Sequence, residues 1–161
     1  MITQDRLKEL LDYDPESGDF TWRSPTSFRT QKGEIAGSKT KSGYIEIGLD
    51  GTSYYAHRLA WLFVYGVLPS QIDHHDLDKS NNSFRNLRQA STSENKANEG
   101  FRSTNTSGVK GVCWSKRHQK WRAQITFRGR NRFLGHFREI EDAGAAYRSE
   151  AVRLFGDFAR P

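Results

Sequence analysis

Cysteine is almost missing from this 161-residue chain, since Cys113 stands alone. That excludes an intramolecular disulfide and a cysteine-rich zinc site, and it fits a reducing compartment. Long apolar runs are missing too. The longest, Ala60 to Tyr65, falls far short of the roughly 20 residues that a membrane span needs. The N-terminus, with Asp5, Arg6, Lys8 and Glu9, lacks the apolar core of a signal peptide. These absences lead us to expect an intracellular, cytoplasmic chain without a membrane partner. There is no internal repeat and no low-complexity tract.

Acid is missing from one region only. Between Gly100 and Arg138 stand ten basic residues and no acidic one, interleaved with Trp114, Trp121, Phe127 and Phe133. The chain as a whole carries a net charge of +6, but residues 1 to 98 hold 12 Lys/Arg against 13 Asp/Glu while residues 99 to 161 hold 13 against 6. A one-sided basic field with aromatics suits phosphate neutralisation, so the C-terminal part is expected to face nucleic acid.

Local patterns set the expected elements. Thr3 and the run Arg6 to Leu11 predict a short helix, ended by the turn residues of 13–19. Phe20-Thr21-Trp22 begins an extended piece, and residues 24–42 read as loop. Tyr44 to Leu49 alternates, Asp50-Gly51 turns, and Ser53 to Ala56 returns, which predicts a hairpin. A helical stripe from His57 through Leu59, Leu62 and Phe63 stops at Gly66 and Pro69. Ile72 to His74 extends, 76–86 is a polar loop, Leu87 to Ala90 extends again, and Ser91 with Glu94 predicts a capping box opening a helix from about Thr92 to Asn98. Beyond a linker at 99–107, three strands (109–115, 120–127, 131–137) precede a helix over 139–155. In the middle strand Trp121, Ala123, Ile125 and Phe127 would face the helix, and Arg122, Gln124, Thr126 and Arg128 would face water.

The segment 72–98 concentrates the chemistry. Hydrolysing a phosphodiester requires water made nucleophilic, stabilised charge at phosphorus and help for the departing oxygen. A neutral histidine can take the water proton near pH 7, and a hard divalent ion can be held by a carboxylate and an amide oxygen. Asp73, His74 and Asn95 are of these types.

Asp73-His74, Asn81-Asn82, Asn86-Leu87-Arg88 and Asn95 through Asn98 together resemble the HNH endonuclease motif in its homing and phage variety. The hairpin over 44–55 and Ala56 to Trp61 resemble the lead-in of phage members. The resemblance implies a ββα-metal fold with its motif at 72–98, His74 as general base, Asp73 and Asn95 as ligands of Mg²⁺ or Mn²⁺, and Asn86 as a brace of the loop. Asn95 stands where other members carry histidine, which favours an oxygen-ligated hard metal over zinc. His75 is the alternative base.

A second resemblance covers about 105–159. Ser107 to Trp114, Lys120 to Ile125, Leu134 to Phe137, Glu141 to Ala143 and Ala145 to Tyr147 are similar to the Apetala-type, ethylene-response-factor (ERF) DNA-binding domain. That family lays a three-stranded sheet in the major groove with its helix behind. On this basis Lys110, Trp114, Lys116, Arg122, Gln124, Arg128 and Arg130 are expected to touch DNA, with Arg132 and Arg138 at the margin. Val112 and Thr126 stand where plant members commonly carry arginine, so their target preference is not transferred.

The expected protein is α+β: an HNH nuclease domain (1–98), a linker (99–107), and a small three-stranded antiparallel sheet backed by one helix (108–161). Its expected function is metal-dependent hydrolysis of double-stranded DNA, by a monomer needing no protein partner, in the bacterial host's cytoplasm if phage-encoded. A single site favours nicking. The alternative is a DNA-binding protein that keeps the nuclease fold as an inactive scaffold.

Overall fold

Thr3 begins the chain's first regular element because its hydroxyl accepts a hydrogen bond from the Arg6 amide (3.2 Å), capping helix α1 (Gln4–Leu10). The structure, a computed structural model, describes residues 1–25, 30–100 and 104–160. Parts of the expected loop (26–29) and linker (101–103), with Pro161, lie outside the described residues. The chain packs as two compact units, Met1–Gln89 and Ala90–Pro161. The expected nuclease domain ran to residue 98, whereas the packing division comes after Gln89 and groups the next helix with the C-terminal unit.

In the N-terminal unit, α1 runs into β1 (Leu11–Tyr13), which pairs antiparallel with β2 (Phe20–Trp22). Sequence patterning did not distinguish β1, because three residues show too little alternation to separate a strand from the end of a helix. The polar stretch before the hairpin contains β3 (Ser38–Lys39), a two-residue strand that edges β4 (Ile45–Leu49), which in turn pairs with β5 (Thr52–Tyr55). Asp50 (φ 47°) and Gly51 (φ 76°) make the two-residue hairpin turn that left-handed backbone favours. Helix α2 (Ala56–Tyr65) follows at once and ends on Gly66, whose φ of 73° turns the chain and whose amide donates to the Leu62 carbonyl.

Helix α2 buries Leu59, Ala60 and Leu62 against Leu7, Leu10, Leu11, Phe20, Ile47 and Leu49, and each large apolar side chain so buried contributes about 1.5–3 kcal/mol. Strands β6 (Ile72–His74) and β7 (Leu87–Gln89) pair antiparallel and anchor to this core through Ile72 and Leu87. The polar loop between them is thereby hung on two short strands, one of them buried along its length.

In the C-terminal unit the capping box is present: the Ser91 hydroxyl accepts from the Glu94 amide, and the Glu94 carboxylate accepts from the Ser91 amide (2.7 Å), opening α3 (Thr92–Asn98). Strands β8 (Val112–Ser115), β9 (Lys120–Phe127) and β10 (Arg130–Phe137) form an antiparallel sheet with β9 in the middle. Helix α4 (Ile140–Phe155) supplies Ala143, Tyr147, Ala151 and Phe155 to a core shared with Val112, Ala123 and Ile125. The fold is α+β with small antiparallel sheets.

Candidate active site and nucleic-acid interface

The β6–β7 register sets Asp73 directly across from Arg88 and His74 across from Leu87. Asp73 is 3% exposed; Arg88 Nε donates to its Oδ2 at 2.9 Å, and Arg88 Nη2 lies 2.8 Å from the same oxygen as an ion pair. Nothing in the spacing of Arg88 shows that it lies opposite Asp73; only the strand register does.

His74 is buried (5% exposed), and its Nε2 lies 3.3 Å from Asn82 Oδ1. Burial pushes its pKa down, against the Asn82 hydrogen bond and the charges of Asp76, Asp73 and Asp78, which push it up. It is therefore neutral at pH 7, as a proton acceptor must be. His75 is exposed, and its amide donates to the Asn86 carbonyl (2.9 Å). Its position suits holding the loop better than accepting a proton inside the site.

The loop from 75 to 86 is a cage of short-range hydrogen bonds. Asn86 Oδ1 accepts from the Asp76 amide (3.0 Å), while its Nδ2 donates to the Asn81 carbonyl (2.8 Å) and to Asp76 Oδ1 (3.0 Å). Asn81 Nδ2 donates to Asp76 Oδ2, Asn81 Oδ1 accepts from Ser83, and Asp78 Oδ1 accepts from Ser80. Asp76 and Asp78 are thus absorbed by the loop's own donors, which holds both carboxyls below the usual range: the Ser80 hydroxyl leads for Asp78, and for Asp76 the donors Asn81 and Asn86 outweigh the opposing effect of burial. Lys39 Nζ donates to Ser80 Oγ and Lys79 Nζ lies over the Tyr44 ring (4.8 Å), tying the loop to the β3–β4 region.

Two aromatic groups wall His74. The Tyr44 ring centroid lies 6.0 Å away, and the His57 ring meets His74 edge-on at 5.1 Å. His57 itself is buried, its Nδ1 has no hydrogen-bond partner, and burial with the neighbouring His74 and Arg58 pushes its pKa down to about 3. Because the unfolded side chain titrates near 6.5, unfolding takes up a proton between that value and about 3. His57 therefore contributes stability that is full above about pH 6.5 and is lost as pH falls toward 3. The His57→Phe protein should show a shallower decline across that window, by about 2–4 kcal/mol at its acid end. Urea unfolding at stepped pH measures this, and parallel curves for the two proteins would contradict it.

Asn95 lies on α3, in the C-terminal unit, half-buried and within hydrogen-bonded helix: its amide donates to the Ser91 carbonyl and its carbonyl accepts from Glu99. Among the described residues no cluster of three or more His, Cys, Asp or Glu side chains forms a ready metal cage.

The expected DNA face needs correction. Residues paired across an antiparallel ladder share a face. Trp114 pairs with Trp121, and their rings meet at 5.2 Å, so Trp114 stands on the helix side of the sheet despite being 44% exposed at its edge. Arg130 pairs with Phe127 and belongs to that same side. Arg128 sits in the β9–β10 turn (φ 49°) with its guanidinium over the Phe127 ring, not on the strand's wet face. Lys116 lies in the β8–β9 turn. Lys110 turns inward: its ammonium donates to the carbonyls of Ala97 (2.5 Å), Glu99 (2.6 Å) and Arg160 (3.4 Å), and burial pushes its pKa down. Cations suit the carbonyl end of a helix, and α3 ends there. Arg132, expected at the margin, also lies helix-side, 3.6 Å from Glu150 and over Phe127.

The side turned from α4 carries Cys113, Arg122, Gln124, Thr126, Asn131, Phe133 and His136. Of the expected contacts only Arg122 and Gln124 remain there. Phe133, Asn131 and His136 join it because of a bulge between Phe133 and Gly135 that shifts the β10 register by one. Phe133 is 57% exposed, with Arg122 over its ring (5.9 Å) and His136 edge-on (5.0 Å), while His118 stacks on His136. Alternation counted from the sequence cannot see a bulge.

No helix of the structure is long and apolar enough to cross a membrane among the described residues. The chain is 35% identical to Protein 3.8 of Escherichia phage T7 over 106 residues, which cover 65% of this chain and 87% of that protein. It is 32% identical over 124 residues to a protein of Acanthamoeba polyphaga mimivirus named as an uncharacterized HNH endonuclease, L560, covering 75% of this chain and 63% of that one. No solved structure matches the chain. The profile of the HNH endonuclease family matches residues 54–97, a span that holds His57, Asp73, His74, Asn82, Asn86, Arg88 and Asn95. Residues 54–97 thus carry an HNH endonuclease domain, and the mimivirus relative is named for the same family.

Proposed function

We propose that this protein is a metal-dependent endonuclease that hydrolyses phosphodiester bonds of double-stranded DNA, with His74 taking a proton from the attacking water. The observation that carries this reading is a histidine kept neutral by burial, hydrogen-bonded through Nε2, and adjacent on β6 to the buried carboxylate of Asp73. Asp73 and Asn95 would hold the ion. A carboxylate and an amide oxygen form an all-oxygen donor set, and so small a set suits Mg²⁺ or Mn²⁺, which retain waters, better than zinc. When bound, the ion would stabilise negative charge on the departing 3′-oxygen. Asn86 braces the 76–86 loop through Asp76 and Asn81, and products would carry 5′-phosphate and 3′-hydroxyl ends.

The C-terminal unit is proposed as an ERF-type DNA-binding module, with Arg122, Gln124, Thr126, Asn131, Phe133 and His136 toward DNA. Linking it to the nuclease raises the effective concentration of cutting site on bound DNA. Arg122→Ala should weaken binding and, if Arg122 neutralises one phosphate, lower the salt slope of log K by about one. Lys110→Ala should leave that slope unchanged, because its ammonium is occupied by carbonyls. Titrations of labelled duplex at stepped salt test both, and equal slopes for wild type and Arg122→Ala would displace the proposed face.

One observation favours the second reading, an inactive DNA-binding protein: Arg88 already neutralises Asp73 Oδ2. Incubating supercoiled plasmid with the protein, with and without Mg²⁺ or Mn²⁺, separates the two. Metal-dependent nicked or linear product supports the nuclease, whereas plasmid that is retarded but intact supports the scaffold.

A further inference from the structure

We propose that Asn82 is the positioning residue of His74, holding the imidazole as its Nε2–H tautomer so that Nδ1 is the nitrogen that accepts the water proton. The inference rests on the nuclease reading above and adds to it a residue, an atom assignment and a source of support outside the motif. A neutral imidazole carries its proton on one nitrogen and its basic lone pair on the other. Asn82 Oδ1, a carbonyl oxygen that can only accept, stands 3.3 Å from Nε2. Nε2 therefore donates, and basicity is assigned to Nδ1.

The amide cannot exchange its two ends without loss. Asn82 Nδ2 donates to the Ser80 carbonyl at 3.1 Å, and a flipped amide would set two carbonyl oxygens against each other there while offering N–H to Nε2. Asn82 is 2% exposed, so no bulk water compensates for that arrangement.

Asn82 is held from outside the segment that the family profile covers. Tyr13 Oη donates to the Asn82 carbonyl at 2.7 Å, and the Phe84 amide donates to the Pro15 carbonyl at 2.8 Å. Gly18, at φ 83°, packs so closely that an added Cβ would lie 2.2 Å from the Asn82 carbonyl carbon. The β1–β2 hairpin and its turn thus press on the backbone of the residue that orients the base. The edge-on His57 ring and Tyr44 restrict the imidazole from other directions.

Long-range ¹H–¹⁵N NMR of the full-length protein reads the imidazole tautomer without any need for activity, with the His74 signals assigned by their loss in His74→Gln. The wild type should show His74 protonated on Nε2. Asn82→Leu, of similar volume and without an acceptor, should populate both tautomers and slow single-turnover nicking about 10–100-fold at saturating DNA, the size usual for partners that orient active-site imidazoles. DNA affinity should stay within about twofold. Asn82→Asp keeps the acceptor oxygen toward Nε2, although its second oxygen faces the Ser80 carbonyl, and should retain the Nε2–H form and part of the lost rate. If Asn82→Leu does not fold, the wild-type tautomer and the Asn82→Asp rate still decide the matter. A wild type that nicks DNA with His74 protonated on Nδ1, an Asn82→Leu protein with wild-type tautomer and rate, or an Asn82→Asp protein as slow as a folded Asn82→Leu overturns the positioning role alone. A wild type that never nicks overturns the nuclease reading, and the positioning role with it.

Discussion

The His74→Ala protein should bind duplex DNA as the wild type does and cleave it at least about 10²–10⁴-fold more slowly, the range that positioned acid–base groups contribute. His74 is the one histidine of the β6–β7 pair that is buried, neutral and hydrogen-bonded by a fixed partner. Truncation removes the proton acceptor and leaves the Ile72 and Leu87 anchors of the two strands in place, so the fold and the C-terminal sheet should persist. The assay is plasmid nicking under single-turnover conditions beside a binding titration. His75→Ala should retain most of the activity, because that side chain is exposed. Unchanged nicking by His74→Ala would move the base elsewhere.

Arg88→Met should cost about 3–5 kcal/mol of unfolding free energy, since it strands the buried Asp73 carboxylate. The side chains are 18% and 4% exposed, so water cannot take over the lost contact, whereas the exposed pair Arg6–Glu9 should contribute little. The double variant Arg88→Met with Asp73→Leu should recover much of the loss, because neither charge then remains. Mg²⁺ or Mn²⁺ should raise the stability of Arg88→Met more than that of the wild type if Asp73 is a metal ligand, because the cation then replaces the missing guanidinium. Denaturant unfolding with chelator and with metal measures all three effects. A single variant as stable as the wild type would show that the pair is dispensable to the fold.

The two variants probe opposite faces of a conflict built into β6. Asp73 is proposed as a metal ligand, yet a guanidinium already stands against its Oδ2. Arg88 thus compensates the buried charge in the folded chain.

Much of the local structure was legible from spacing. Thr3, Asp50-Gly51, Gly66 and the Ser91–Glu94 box act within a few residues of themselves, and each stands where its chemistry placed it. The inward alternation of Ala123 and Ile125 was legible for the same reason. Strand β1 was not, because its hydrogen bonds go to residues about ten positions away. Nor was Lys110, whose charge promised a phosphate contact and whose ammonium instead meets the last carbonyls of α3.

By itself the sequence determined the kinds of group present at 72–98, the order of the elements that carry them, and the concentration of positive charge after residue 99. Those properties depend on residue type and short-range geometry. Only the tertiary structure decided that Arg88 faces Asp73, that Asn82 meets His74 under the β1–β2 turn, that a bulge in β10 brings Phe133 and His136 onto one open face, and that the β8–β9 register turns Trp114 to the other. Each of these depends on strand register or on contacts between distant segments. A shift of a single residue reverses which face a side chain takes, and no pattern read along one strand records its neighbour's register.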